Sequence, residues 1–288
     1  MAATSPEPRA LPVSTGDGPA GDTALPGDFR QAIRAEVSRV LHPPFETLLT
    51  VAINAALMSS AWFFLPPPLF NDLFSLHGSL AFAFVLSSWM YSDVPATNVL
   101  ASDSIRVLGA MDRPEVLRRL LLAKATVLWC IVAPICLVVS FIMGAGATDR
   151  IAAVYSAIAI GIVPFGVLAV SAWLGILFPY HPVPLRYRWS QRRRWKPMLV
   201  RWGTLVLLPY AVVPALTTVF LVPSLLIWGL TSPNGLTKKL PDNDVGLGIA
   251  LACAIALGAV LVGHRVSLHL IARRRDHLVA YLSDPLRG

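Results

Sequence analysis

The chain has 288 residues, of which 55% are hydrophobic and 14% are charged, whereas soluble domains carry roughly 25% charged residues. This composition, with several apolar runs longer than about 18 residues, excludes a soluble globular protein and indicates a polytopic membrane protein. The net charge of +8 would suit a nucleic-acid-binding protein, but the basic residues flank the apolar runs, which assigns them to membrane topology.

Two segments precede the first apolar run. Residues 1–27 contain five prolines and four glycines, which predicts a disordered cytoplasmic tail without a signal peptide. Residues 28–44 predict an amphipathic helix that lies on the membrane surface, because Asp28 and Gln31 have capping-box spacing and an apolar stripe opposes basic residues. The stripe consists of Phe29, Ile33, Val37 and Val40, and the basic residues are Arg30, Arg34 and Arg39.

Six apolar runs in the segment 45–271 predict six transmembrane helices, at residues 45–65, 69–91, 125–143, 151–178, 202–230 and 245–271. The fifth run contains three prolines and is interpreted either as one kinked span or, preferably, as a span followed by a re-entrant segment.

The basic residues predict the orientation of these spans. Of the 24 lysines and arginines, 21 fall in the N-terminal segment, the loops 92–124 and 179–201, and the C-terminal end. Only Arg150, Lys238 and Lys239 lie on the alternate side. Because basic loops stay in the cytoplasm, both termini are predicted to be cytoplasmic, in a protein of the plasma (inner) membrane. Residues 272–288 are then a cytoplasmic C-terminal tail.

A charged strip at 92–124 leads directly into the third span. Asp112 followed by Pro114 and Glu115 predicts a helix start with Asp112 as the cap. Glu115 stands four residues before Arg119, which is the favourable order for a helical ion pair. The strip is interpreted either as a solvated loop beside lipid headgroups or as a docking surface for a soluble partner.

The motifs of common catalytic sites are missing from the sequence. It contains no GxxxxGK[ST] phosphate loop and no HExxH or GxSxG motif. Its three cysteines lie within predicted spans and show neither metal-ligand spacing nor a disulfide framework. We therefore predict no catalytic residue and no metal site.

Polar residues inside predicted spans are the remaining candidates for a functional site. Asn54 and His77 lie in the first two spans and are candidates for a substrate path. His264 lies near the inner end of the sixth span. For each of them, a structural hydrogen bond between helices is the alternative interpretation.

The loop 179–201 mixes basic and aromatic residues. This mixture can bind single-stranded nucleic acid, but beside a membrane it favours lipid headgroups, so no nucleic-acid partner is predicted. The candidate headgroup contacts are Arg188, Trp189, Arg192, Arg193, Arg194 and Trp195.

The order of these parts over residues 28–271 resembles the membrane (permease) subunit of type-2 ABC exporters. That family has an interfacial helix, six spans, a long coupling loop after the second span and a shorter loop after the fourth. The closest local similarity is LGAMDRPEVLRRLLLAK at 108–124, where an apolar segment, a proline and a leucine-rich run lead to a lysine. The basic loop and the lack of an acidic residue at the start of the coupling segment depart from the family pattern.

The resemblance implies that the chain itself is not an enzyme and holds no cofactor. ATP and magnesium would bind a separate ATP-binding subunit, and a second permease chain, identical or different, would complete the path through the lipid bilayer. The implied docking residues for the ATP-binding subunit are Asp103, Arg106, Asp112, Arg113, Glu115, Arg118 and Arg119. Two alternatives stay open: a non-enzymatic scaffold or accessory subunit of an envelope assembly, and an integral membrane transferase that uses Asp72 or Asp242.

Overall fold

A computed structural model of the chain describes residues 24–43, 45–64, 86–87, 89–91, 94–144, 150–179 and 242–284, with a few single residues elsewhere. All secondary structure in these ranges is helical, which confirms the predicted fold class at that level. In chain order the helices are α1 (Phe29–Val40), α2 (Glu46–Phe64), α3 (Val94–Thr97), a 3₁₀ turn (Ala101–Asp103), α4 (Ser104–Ala110), α5 (Pro114–Gly144), α6 (Arg150–Leu177), α7 (Asp242–Arg273) and α8 (Arg275–Leu282).

Three of these helices are long and apolar enough to cross a membrane. The spanning stretches are Pro114–Val139 of α5, Ala157–Leu177 of α6 and Gly246–Arg273 of α7, with 26, 21 and 28 residues. They correspond to the predicted third, fourth and sixth spans. At the first predicted span, α2 carries a shorter apolar stretch, Thr47–Leu57. Most of the second predicted span and nearly all of the fifth lie outside the described residues.

The start of α1 follows the capping pattern of the sequence with one difference. Asp28 accepts a hydrogen bond from the backbone N–H of Gln31 at 2.7 Å. The side chain of Gln31 accepts from the backbone N–H of Gly27, at 2.9 Å, instead of from the cap residue itself. The first bond satisfies an amide that the first turn of a helix leaves free, and the second holds the residue before the cap against the helix.

The face of α1 that packs against the protein is shifted from the predicted apolar stripe and shares only Val40 with it. The buried residues are Ala32, Glu36 and Val40, whereas Phe29 and Val37 remain about 40% exposed. The two rows are neighbours on the helix surface, because corresponding residues such as Phe29 and Ala32 are three apart in the sequence. One row therefore contacts α5, and the other is left outward, where the predicted membrane-surface contact would lie.

Helices α6 and α7 form the tightest pair among the described elements, and they run parallel. Gly246 meets Tyr155, Gly166 meets Ala256, and Gly263 meets Ala169, so the residue numbers rise together along both helices. A methyl group added at Gly166 would lie 2.7 Å from the Cα of Ala256. Small residues at such contacts let two helix backbones approach closely, as is common within membranes.

Helix α5 packs antiparallel to α6. The indole N–H of Trp129 donates to the carbonyl of Gly161 at 2.9 Å, and its ring lies 5.0 Å from that of Phe165. Nearer the start of α5, Leu121 shares a core with Ile176 at the end of α6. The start of α5 and the ends of α6 and α7 therefore lie at one end of the bundle, which we call the elbow end.

Candidate functional site

Residues 94–124, which we call the elbow, fold into a small helical unit at the elbow end. Its apolar side chains share one core with the ends of α6 and α7 and with the last helix, α8. The fully buried members include Leu100, Val107, Ala110, Ile176 and Leu278. The charged strip is thus neither a free loop nor an isolated helix, because its apolar face is covered by three other elements.

Lys124 of α5 is bonded to the segment of the elbow that precedes α4. Its side chain is buried and donates to the carbonyl of Val99 at 2.6 Å and to the hydroxyl of Ser102 at 3.1 Å. Both acceptors lie just before α4. A buried ammonium group is stable only when its hydrogen bonds are made, so this lysine holds the loop in one position.

Asp103 and Arg106 lie in the interior of the elbow. Their side chains form an ion pair at 3.2 Å and are only 12% and 5% exposed, respectively. The structure therefore places these two docking candidates where they hold the shape of the elbow, away from its outer edge.

Glu36 of α1 lies close to Lys124 and Arg106 and completes a buried group of charges with them. Two nitrogens of Arg39 bond its carboxylate, with Nε at 2.9 Å from Oε2. Burial alone would raise the pKa of Glu36, but the hydrogen bond from Arg39 and the charges of Lys124, Arg39 and Arg106 outweigh burial and hold that pKa below its ordinary value. Glu36 is therefore a buried, ionised carboxylate that faces positive groups of α4 and α5.

The exposed charged edge of the elbow is formed by the turn before α5 and by its first turns. Asp112, Arg113, Glu115 and Arg118 are exposed, and Arg119 is half-buried. We call these five residues the outer edge. They are the docking candidates that a soluble partner could reach.

Two sequence predictions about the outer edge are wrong. Glu115 pairs with Arg118 at 3.0 Å instead of with Arg119, because Arg119 turns toward the N-terminal segment and donates to the carbonyl of Gly27 at 2.6 Å. Asp112 does not cap α5. Its carboxylate accepts from Arg275 of α8, at 2.7 and 2.9 Å.

A glycine in α6 fixes how closely the elbow approaches the spans. Gly175 lies directly against the carbonyl of Thr97, and a methyl group at this position would overlap that oxygen. Only glycine lets the backbone of α3 lie against the last turns of α6. The elbow therefore rests on the helix itself and not merely on its side chains.

The remaining site candidates are Asn54, His77, His264 and the headgroup residues of the loop 179–201. Asn54 accepts a hydrogen bond from the indole of Trp89 at 3.4 Å, which is the contact between helices that the alternative interpretation requires. His77 and the headgroup candidates of the loop 179–201 lie outside the described residues. His264 is partly buried at the elbow end of α7, and its Nδ1 has no hydrogen-bond partner among the residues that the structure describes. In the described part of the chain, no three His, Cys, Asp or Glu side chains are grouped to hold a metal ion.

Four further residues shape this end of the bundle and were not among the predicted site residues. Glu36 resembles any polar residue of a surface helix, although its spacing to Arg39 could have suggested a local ion pair. Arg274 and Arg275 resemble ordinary basic residues that follow a span. Leu25 packs against the core of the elbow, although it lies in the segment predicted to be a disordered tail.

Comparison with known proteins adds no relative, since no family model, curated protein or solved structure matches the chain.

Proposed function

We propose that this chain is the permease subunit of an ATP-driven exporter and that the elbow is its coupling element. The observation that carries the proposal is the position of the outer edge. Its exposed charges belong to a packed unit that is attached to three helices able to cross a membrane. A force applied to such a unit reaches the spans, whereas a solvated loop would absorb it.

The charge distribution of the elbow supports this role. The inner ion pair and Lys124 hold its shape, while the outer edge offers carboxylates and guanidinium groups to a partner. Paired charges at an exposed edge contribute little to folding stability, but they provide specificity and orientation when a partner of complementary charge docks. ATP and magnesium would bind that partner, and this chain would supply the membrane path.

The parallel packing of α6 and α7 supports a six-span topology. If both helices cross the membrane, the chain leaves α6 at the elbow end and enters α7 at the opposite end, so it must cross an odd number of times between them. The predicted span at 202–230 provides that crossing. We propose six spans, a cytoplasmic elbow end and a location in the plasma membrane, with a second permease chain completing the path.

Copurification tests the proposal. The tagged chain would be extracted in mild detergent, and its stoichiometric partners would be identified by mass spectrometry. A variant Glu115→Arg/Arg118→Glu exchanges two charges of the outer edge while it keeps their mutual ion pair. We expect an ATP-binding subunit with the native chain and about tenfold less of it with the variant, because unlike charges at a docking surface become like charges.

Arg34→Glu is the matched control, since Arg34 is exposed on α1 and lies outside the outer edge. It should retain the partner. Recovery of the native chain alone, or only with envelope proteins that lack a phosphate loop, would overturn the permease assignment and favour the scaffold.

A further inference from the structure

The last helix, α8, joins elements that are far apart in the chain. Its side chains Leu278 and Leu282 are almost fully buried in the core that also contains Val107 and Leu117 of the elbow. Residues 275–282 are therefore part of the elbow unit and not a tail that follows the last span.

Arg274, at the junction of α7 and α8, binds the end of α6. Its Nη1 donates to the carbonyls of Ile176 and Leu177, at 3.0 and 2.8 Å. The last carbonyls of a helix have no intrahelical donor and lie at its negative end. A guanidinium group placed there caps α6 and holds it against the start of α8.

Arg275, the next residue, binds the elbow. It contacts Oδ1 of Asp112 through Nη2 at 2.7 Å and through Nε at 2.9 Å. Asp112 lies in the turn between α4 and α5. Two consecutive arginines thus hold two different elements, one at the end of α6 and the other at the outer edge of the elbow.

We propose that residues 274–282 form a brace that makes the elbow, α6 and α7 move as one body. Leu278 and Leu282 are its buried part, and the Asp112–Arg275 pair is its water-accessible part. The brace deepens the proposed function, since it names the contacts through which the elbow would move two spans. Its existence, however, can be tested without any partner.

Hydrogen exchange of the full chain in lipid nanodiscs tests the brace. The readout is the exchange rate of the α4 amides, residues 104–110. Arg275→Asp and Asp112→Arg each place like charges together, and each should speed α4 exchange about two- to fivefold, the range for an exposed ion pair. The double variant Asp112→Arg/Arg275→Asp restores opposite charges and should return the rate to near the native value.

Arg273→Asp is the matched control, because Arg273 is an exposed arginine two residues before Arg275; it should leave α4 exchange unchanged. Native exchange in the α6–α7 contact around Gly166 would show that each variant is folded. Arg274→Gln removes the guanidinium group that bonds the end of α6, and it should speed exchange both in α4 and in the last turn of α6.

Unchanged α4 exchange in both charge reversals, or a double variant no closer to native than the single ones, would overturn the brace. If no ATP-binding partner is found but α4 responds as expected, the permease proposal fails while the brace stands.

Discussion

Glu36 shows how one buried carboxylate can set the position of a whole helix. Its charge is balanced by Arg39 on its own helix and by Lys124 and Arg106 on two others. Removal of one partner from a buried charge cluster is costly, because the remaining charges stay without solvent. α1 is thus held against α5 by electrostatics as well as by the small contact of Ala32 and Val40.

The lowered pKa of Glu36 predicts how acid acts on the protein. Since the folded-state pKa lies below the unfolded value of about 4.3, Glu36 contributes stability that is fully present above that value and is lost as the pH falls through the folded pKa. We expect Glu36→Gln to cost about 2–3 kcal/mol at pH 7. Thermal unfolding in detergent would show a lower midpoint for the variant at pH 7 and a smaller difference from the native chain near pH 3.

The matched control is Glu115→Gln, which removes an exposed carboxylate paired with Arg118. It should shift the midpoint very little at any pH. A Glu36→Gln midpoint equal to the native one at pH 7 would contradict the proposed role of the carboxylate.

The helix pair α6–α7 illustrates how side-chain size decides packing at the scale of an element. Gly166 and Gly263 face the partner helix without room for a methyl group, whereas no described residue lies within 4 Å of where a methyl group on Gly258 would stand. Substituting alanine at Gly166 and at Gly258 therefore distinguishes the effect of helix packing on stability from the effect of helix propensity.

We expect Gly166→Ala to destabilise the chain by about 1–3 kcal/mol, because the two backbones must move apart. Gly258→Ala should be neutral or stabilising by up to about 1 kcal/mol, since alanine is the better helix former. Thermal midpoints of the two variants, measured in the same detergent, check this. Equal destabilisation by both would contradict the close contact of α6 with α7.

The elements of this fold were predictable to different degrees. Hydrophobic length alone predicts the three long helices, and Asp28, Gln31 and Pro114 predict two helix starts, because these signals are local. Pairings between distant residues were not predictable. Arg119 had a good partner four residues away, yet it bonds Gly27, since the N-terminal segment lies beside it only after α1 has packed on α5.

The residues of the candidate site were also predictable only in part. The sequence located the charged strip, but it could not separate Asp103 and Arg106 from the outer edge, because local spacing does not tell which face of a segment a distant helix will cover. The charges near Arg106 belong to α1 and α5, and α8 covers the apolar face around Val107, so both kinds of burial depend on contacts between distant segments.

At the scale of the molecule, the start of α5 and the ends of α6 and α7 lie together, and each of these ends adjoins a segment that the sequence predicts to be cytoplasmic. Arg274 bonds the carbonyl of Ile176 at the end of α6, and Arg275 bonds Asp112 in the turn before α5, so the segment after α7 joins both ends directly. The grouping agrees with the alternation of basic loops in the sequence, so a single measurement can assign a side of the membrane to all three.

Cysteine labelling in cells provides that measurement, after the three native cysteines have been replaced by serine or alanine. We expect a thiol reagent that cannot cross membranes to label Arg150→Cys, at the far end of α6, from outside. Ser283→Cys, which is exposed just after α8, should be labelled only after the cells are opened. Labelling of both positions from the same side would contradict the proposed orientation.

The bond between Asp112 and Arg275 also has a consequence for biosynthesis, because its partners are 163 residues apart in the sequence. During translation the elbow emerges long before α8, so part of the apolar surface around Val107 and Leu117 stays uncovered until Leu278 and Leu282 have been made. A nascent chain interrupted before Arg274 would therefore leave this apolar surface exposed, and exposed apolar surface favours aggregation.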